Sequence, residues 1–93
     1  MQSRLTAAFI KRFRKLPDSI RLETRKAYGL WLIDPSSARL KFKQISKNYP
    51  LWSARVFNTG YRAAGFYYKD RDTIEWEFVG NHSDYEAFYK QWQ

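Results

Sequence analysis

The hydrophobic period of this chain changes twice along its length, and that change limits the fold more than any single residue does. Up to Ile33 the apolar residues recur at helical spacing, from Leu51 to Val79 they tend to alternate, and after Ser83 helical spacing returns. Phe9, Phe13 and Leu16 stand at i, i+4 and i+7 with Lys11, Arg12, Arg14 and Lys15 between them, the pattern of a short amphipathic helix that Pro17 ends. Asp18 or Ser19 is placed to cap a second helix, with Ile20, Thr24, Ala27 and Trp31 on its buried face and Leu30 beside them. Asp34 precedes Pro35, which biases it out of the helical region and closes that helix. The expected product is a helical hairpin.

Residues 36–50 are irregular, apart from a brief alternation that turns Leu40 and Phe42 inward and Lys41 and Lys43 outward, so an extended basic loop is expected there. Three runs rich in aromatic or β-branched residues follow, at 51–57, 61–68 and 73–79. Asn58-Thr59-Gly60 and Lys69-Asp70-Arg71-Asp72 supply turns between them, which makes an antiparallel meander. Ser83-Asp84-Tyr85-Glu86 reads as a capping box, and Tyr85, Phe88, Tyr89 and Trp92 form a helical stripe behind it. That stripe reads as core packing rather than as a platform for stacking bases.

Ninety-three residues make one domain, 1–93, with a single modest core. Seven Phe, seven Tyr and four Trp supply enough apolar surface for that core without disulfide support. Cysteine is absent, which fits a reducing compartment and excludes thiolate metal sites, and one histidine cannot make a His-rich one. No metal or cofactor is expected. The longest apolar run, residues 29–33, falls far short of the roughly 20 residues that span a bilayer, and the N-terminus shows no apolar signal core. A soluble, cytoplasmic protein without a membrane partner is expected. Charge is unevenly spread: residues 1–47 carry twelve Lys/Arg against three Asp/Glu, residues 48–93 five against six. The electropositive front half and a pI near 9.9 favour a polyanionic partner, although a solvated helix face gives the same pattern.

Two groups qualify as a chemical site. A two-residue turn at Asn58-Thr59 pairs Arg55 with Arg62 across the hairpin, so both guanidinium groups share a face. Like charges so placed are unfavourable unless an anion lies near, and arginine's planar fork suits phosphate oxygens. The internal alternative is that Glu75 and Glu77, which alternate with Ile74, Trp76 and Phe78, lie on the same face and neutralise the pair. The second group is His82, the only histidine, just ahead of the C-terminal helix. Imidazole both gives and takes a proton near neutrality, and a helix N-terminus offers backbone N–H groups to an anion. A lone histidine before a cap is, taken by itself, more often a plain structural residue.

In order along the chain stand Leu16-Pro17, Asp34-Pro35, Leu40-x-Phe42-Lys43-x-Ile45, Trp52-Ser53-x-Arg55-Val56, Gly60-Tyr61-Arg62-Ala63 and Trp76-x-x-Val79-Gly80-x-His82-x-x-Tyr85. This order, over nearly the whole chain, resembles the RelE/ParE superfamily of bacterial type II toxins. Gly80-x-His82-Ser83-Asp84 is similar to the tail of the YafQ branch, whose members are messenger-RNA nucleases.

The resemblance implies an α+β, RelE-like (microbial ribonuclease-like) fold: two N-terminal helices on a twisted antiparallel sheet of three to four strands, with a C-terminal helix. It also implies an N-terminal edge strand within residues 2–7, which the residues there do little to advertise. Family members cleave messenger RNA on the ribosome and are silenced by a cognate antitoxin. The ribose 2′-OH attacks the adjacent phosphate, leaving a 2′,3′-cyclic phosphate and a 5′-hydroxyl, without a metal. By this resemblance Arg62 holds the scissile phosphate, Arg55 assists it, and His82 is the general acid. Lys41, Lys43, Lys47 and Tyr85 are the candidates for substrate binding. The general base stays open: Ser53 stands where RelE has lysine and Phe88 where it has tyrosine, which leaves Glu75, Glu77, a residue of the 41–47 loop, or the ribosome. Two other readings remain, a ParE-like inhibitor of DNA gyrase that works by binding alone and an RNA-binding module without activity.

Overall fold

The computed structural model describes residues 1–93. Along the chain come β1 (Gln2–Leu5), α1 (Ala7–Arg14), α2 (Asp18–Ile33), β2 (Lys43–Gln44), β3 (Leu51–Arg55), β4 (Tyr61–Tyr68) and β5 (Thr73–Asn81), then α3 (His82–Lys90). The sheet runs β1-β5-β4-β3-β2, with β1 parallel to β5 and every other pair antiparallel. The expected α+β class holds, with five strands instead of three or four and one parallel edge. No helix is long and apolar enough to cross a membrane.

β1 is the strand that the family resemblance implies and the hydrophobic pattern does not show. It is an edge strand of four residues, of which only Ser3 is more than lightly covered. Its anchors are polar: the Gln2 amide donates to the Asp72 carbonyl at 2.9 Å, and the Thr6 amide and hydroxyl donate to the Trp76 carbonyl at 3.1 and 2.8 Å. The Thr6 hydroxyl also accepts from the Phe9 amide at 3.2 Å, so the residue that follows β1 caps α1.

The helical hairpin forms as its periodicity predicts, with one change at its corner. Pro17, not Asp18 or Ser19, stands at the N-cap of α2, with no side-chain cap. Its carbonyl accepts from Ile20 and Arg21 at 3.0 and 2.9 Å, and Asp18 lies in the first turn, where a carboxylate complements the helix dipole. Arg21 pairs with Asp18 and donates to the carbonyls of Arg14 and Leu16 at 3.2 Å, binding the end of α1 to the start of α2. The 36–50 segment is turn-rich, with the short β2 pairing Lys43 with Ser53 and Gln44 with Trp52. Leu40 is buried, Phe42 half-buried, and Lys41 and Lys43 exposed, as the alternation there implies.

The sheet has a core on each face. On one, Phe9, Leu16, Ala27 and Trp31 from the hairpin meet Ala54, Val56, Ile74, Trp76 and Val79. Trp31 sets its edge against Trp76 and Phe42, with centroids 5.4 and 5.6 Å away. On the other, α3 brings Tyr85, backed by Phe88, Tyr89 and Trp92, onto Leu51, Ala64 and Phe78. Burying each of the Leu, Ile, Val and Phe side chains contributes about 1.5–3 kcal/mol.

β5 supplies both cores because its register against β4 shifts between Ala64 and Gly65. Ala64 faces Phe78 whereas Gly65 faces Trp76, leaving Glu77 as the extra residue of a β-bulge. Phe78 therefore points away from Ile74 and Trp76, contrary to the simple alternation. The bulge presses the β5 backbone onto Gly65, where an added Cβ would lie 2.5 Å from the Glu75 carbonyl oxygen and 2.9 Å from the Trp76 Cα. At Gly29, within α2, an added Cβ meets nothing within 4 Å.

At the end of β4 away from Arg62, the Tyr67 hydroxyl donates to the Asp72 carboxylate at 2.7 Å, and the N-terminal ammonium lies 3.4 Å from that carboxylate. The Tyr67 bond, helped by the ammonium, holds the Asp72 carboxyl below the ordinary carboxylate range, while the Asp72 bond pushes the Tyr67 phenol up.

Two stability measurements follow from these contacts. In urea titrations Gly65→Ala should lose about 1–3 kcal/mol, the scale of forcing atoms into a packed site, while Gly29→Ala should gain about 0.5–1 kcal/mol. The Asp72 contribution is present above the unfolded carboxylate range and disappears as pH falls through the lowered folded value; the Tyr67 contribution disappears only in strong alkali. Asp72→Asn should therefore lower the urea midpoint slightly at neutral pH and leave it matched to wild type in acid.

Candidate active site

The β3–β4 hairpin builds the first half of the site. Arg55 and Arg62 are direct cross-strand partners, as the sequence predicts. The turn itself differs: Val56 closes it, its amide donating to the Tyr61 carbonyl at 3.0 Å and its carbonyl accepting from the Thr59 amide at 3.2 Å. Four residues, Phe57 to Gly60, form the connection, because Phe57 at φ 49 and Gly60 at φ 83 are both left-handed and leave the ladder. Pairing through Val56 and Tyr61 keeps the register that a two-residue turn would impose, so the arginines stay opposed.

The acidic side chains do not neutralise this pair. Arg62 faces Gly80 on β5, which has no side chain to offer. Glu75 does share the arginine face, as the alternation predicts, but it stands opposite Phe66, four residues along β4 from Arg62, and is bound to Arg4 of β1 at 2.7 Å. Glu77 is taken up by the bulge. Neither Arg55 nor Arg62 takes part in an ion pair. The Arg62 guanidinium instead lies over the Tyr85 ring, 5.2 Å from its centroid.

The strand-to-helix junction brings the second half. β5 runs to Asn81, whose extended backbone turns the chain straight into α3 and whose side chain accepts from the Asp84 amide at 2.8 Å. Asn81 is thus the cap, in place of the Ser83-x-x-Glu86 box, and His82 is the first residue of α3 rather than a residue ahead of it. Glu86 then stands one turn after His82, its Oε1 3.4 Å from the imidazole Nε2, with the two side chains 47 % and 62 % exposed.

Arg55, Arg62 and His82 line one open cleft of about 310 Å³ with Tyr61 and the turn residues Phe57, Asn58 and Gly60. Arg62 is also a wall of an adjoining cleft of about 400 Å³, shared with Lys43, Gln44, Ile45, Tyr85, Glu86 and Tyr89. The loop that carries Lys43 is tied to α3: the Tyr89 hydroxyl donates to the Ile45 carbonyl at 2.9 Å, and the Ser46 hydroxyl to the Trp92 carbonyl at 2.8 Å. Of the four candidates for substrate binding, Lys43 lines the second cleft, while Lys41 and Lys47 are exposed but line neither. Tyr85 is only 5 % exposed and meets the cleft mainly as the support beneath Arg62. Glu86 is the cleft residue that the sequence places only in a capping box; its i+4 spacing from His82 was the available signal for the contact.

No protein-family model matches the chain, and no curated protein matches it. Solved structures do. The toxin–antitoxin complex RelBE2 from Mycobacterium tuberculosis is similar at 22% identity and a TM-score of 0.67, over 86% of this chain and 95% of that one. The RelB–RelE antitoxin–toxin complex from Methanococcus jannaschii is similar at 17% identity and a TM-score of 0.70, over 91% and 96%. A mutant of the E. coli toxin RelE in the free state is similar at 16% identity and a TM-score of 0.68, over 95% and 90%. Together with the element order and sheet topology above, these likenesses show that the chain has the RelE fold.

Proposed function

We propose that this protein is the toxin of a type II toxin–antitoxin pair and an endoribonuclease that cuts messenger RNA on the ribosome. The ribose 2′-OH attacks the adjacent phosphorus, giving a 2′,3′-cyclic phosphate and a 5′-hydroxyl. The observation that carries this reading is the pair Arg55 and Arg62, opposed in the ladder with no carboxylate partner, in one cleft with His82. Two guanidinium groups left without counter-charge form a ready site for an anion whose own charge rises as the reaction proceeds.

Each group then has a task that its position allows. Arg62, braced on Tyr85, binds the non-bridging oxygens of the scissile phosphate, and Arg55 shares the negative charge of the phosphorane-like transition state. His82, largely exposed at the cleft edge, donates a proton to the leaving 5′-oxygen. Lys43, one cleft away, is placed for a neighbouring phosphate. The fold shared with toxin–antitoxin complexes supports a cognate antitoxin as the protein partner.

Brief induction of the chain alone, followed by mapping of transcript 5′ ends, tests this reading. New 5′-hydroxyl ends inside translated frames are expected, with roughly 10²-fold fewer in His82→Ala and Arg62→Ala, the scale of losing a proton donor or a charge stabiliser. Intact transcripts with arrested replication, unchanged in His82→Ala, would instead indicate an inhibitor that acts by binding.

A further inference from the structure

One histidine supplies only one end of the proton transfer, and the structure offers a specific group for the other. We propose that Glu86 is the proton acceptor for the attacking 2′-hydroxyl, so that Glu86 and His82 form the base–acid pair; this rests on the nuclease reading above.

Glu86 is the only carboxylate that lines either of the two clefts meeting at Arg62. The other acidic groups are committed or elsewhere: Glu75 binds Arg4, Asp72 accepts from Tyr67, and Asp18 pairs with Arg21. Asp84 lies in a separate cleft with Arg12 and Lys15. Among other conceivable bases, the Tyr89 hydroxyl donates to the Ile45 carbonyl and Tyr85 is buried beneath Arg62, while Lys43 would first have to lose a proton. A glutamate is already ionised at neutral pH.

The Glu86 side chain also has a geometry suited to the task. It projects from α3 one turn after His82, and Arg62 shares one cleft with the imidazole and the adjoining one with the carboxylate, so both groups border the place where Arg62 would hold a phosphate. Its sole ion-pair partner is the imidazole, at 3.4 Å. A pair this exposed is worth little to stability, and an entering substrate displaces it at small cost. In the reaction the 2′-oxygen to phosphorus bond forms while the phosphorus to 5′-oxygen bond breaks. The 2′-hydroxyl proton passes to the Glu86 carboxylate, and the His82 imidazolium gives its proton to the departing 5′-oxygen. The products are a cyclic phosphate, a 5′-hydroxyl, a protonated Glu86 and a neutral His82, which exchange with water before the next turnover.

Replacing the scissile 5′-oxygen with sulfur separates base from acid, because a thiolate leaves without being protonated. Cleavage rates are measured for wild type, His82→Ala, Glu86→Gln and Glu86→Asp on matched messengers with oxygen or sulfur at that position, each programmed into ribosomes. With oxygen, His82→Ala and Glu86→Gln should each lose roughly 10²- to 10⁴-fold. With sulfur, His82→Ala should recover most of its rate while Glu86→Gln should not, and Glu86→Asp should keep part of it. Glu86→Gln within about threefold of wild type on the oxygen messenger would overturn the assignment, as would its rescue by sulfur, which would make Glu86 a positioning residue for His82. Wild type cutting neither messenger would overturn the nuclease reading itself, an outcome distinct from both.

Discussion

The β-bulge between β4 and β5 is the constraint on which the rest of this structure depends. Strict alternation along β5 would send Ile74, Trp76 and Phe78 to one face and deprive α3 of the Phe78 ring it packs on. The extra residue, Glu77, lets Trp76 join the hairpin core while Phe78 turns to α3. Gly65 admits the close backbone approach that this demands, which ties one glycine to the existence of both cores. α3 is held by Phe78, whose ring lies 4.9 Å from Phe88, and α3 carries both His82 and Glu86. The bulge therefore positions the candidate site through packing.

The same shift isolates the arginines. With Glu77 absorbed and Glu75 bound to Arg4 across the parallel edge, the β5 position beside Arg62 is Gly80. The protein thus carries an unfavourable like-charge pair without compensation, and this is the kind of local conflict that marks a functional site in an otherwise consistent fold. Tyr85 braces Arg62 from below, so the guanidinium is positioned by packing instead of by an internal carboxylate.

Much of this was legible in the residues, and the parts that were not share physical causes. α1 and α2 showed in the 3.6-residue period because each buries one face against the sheet, and Pro17 and Asp34-Pro35 marked their ends. The opposition of Arg55 and Arg62 followed from the turn position alone, since two- and four-residue connections centred on Asn58 and Thr59 give one register. β1 was invisible to pattern because a short, exposed edge strand has no buried face to encode, and only the family resemblance pointed to it. The bulge hid inside a regular alternation; Gly65 within a strand was its one local sign. The cap was misplaced by two residues because Asn81 and Ser83 both suit an N-cap, and strand length decided between them. That displacement concealed Glu86, which reads as a capping partner under one assignment and as the i+4 neighbour of His82 under the other.

The central claim is that this cleft directs a ribose 2′-hydroxyl at the phosphate held by Arg62. Its most direct test is cleavage of a ribosome-bound messenger in which the nucleotide on the 5′ side of a known cut carries a single 2′-deoxy sugar. The account predicts that cutting at that linkage disappears while other sites in the same messenger are cut at their usual rate. Continued cutting at the deoxy position would contradict it, because the attacking oxygen would then have to come from water.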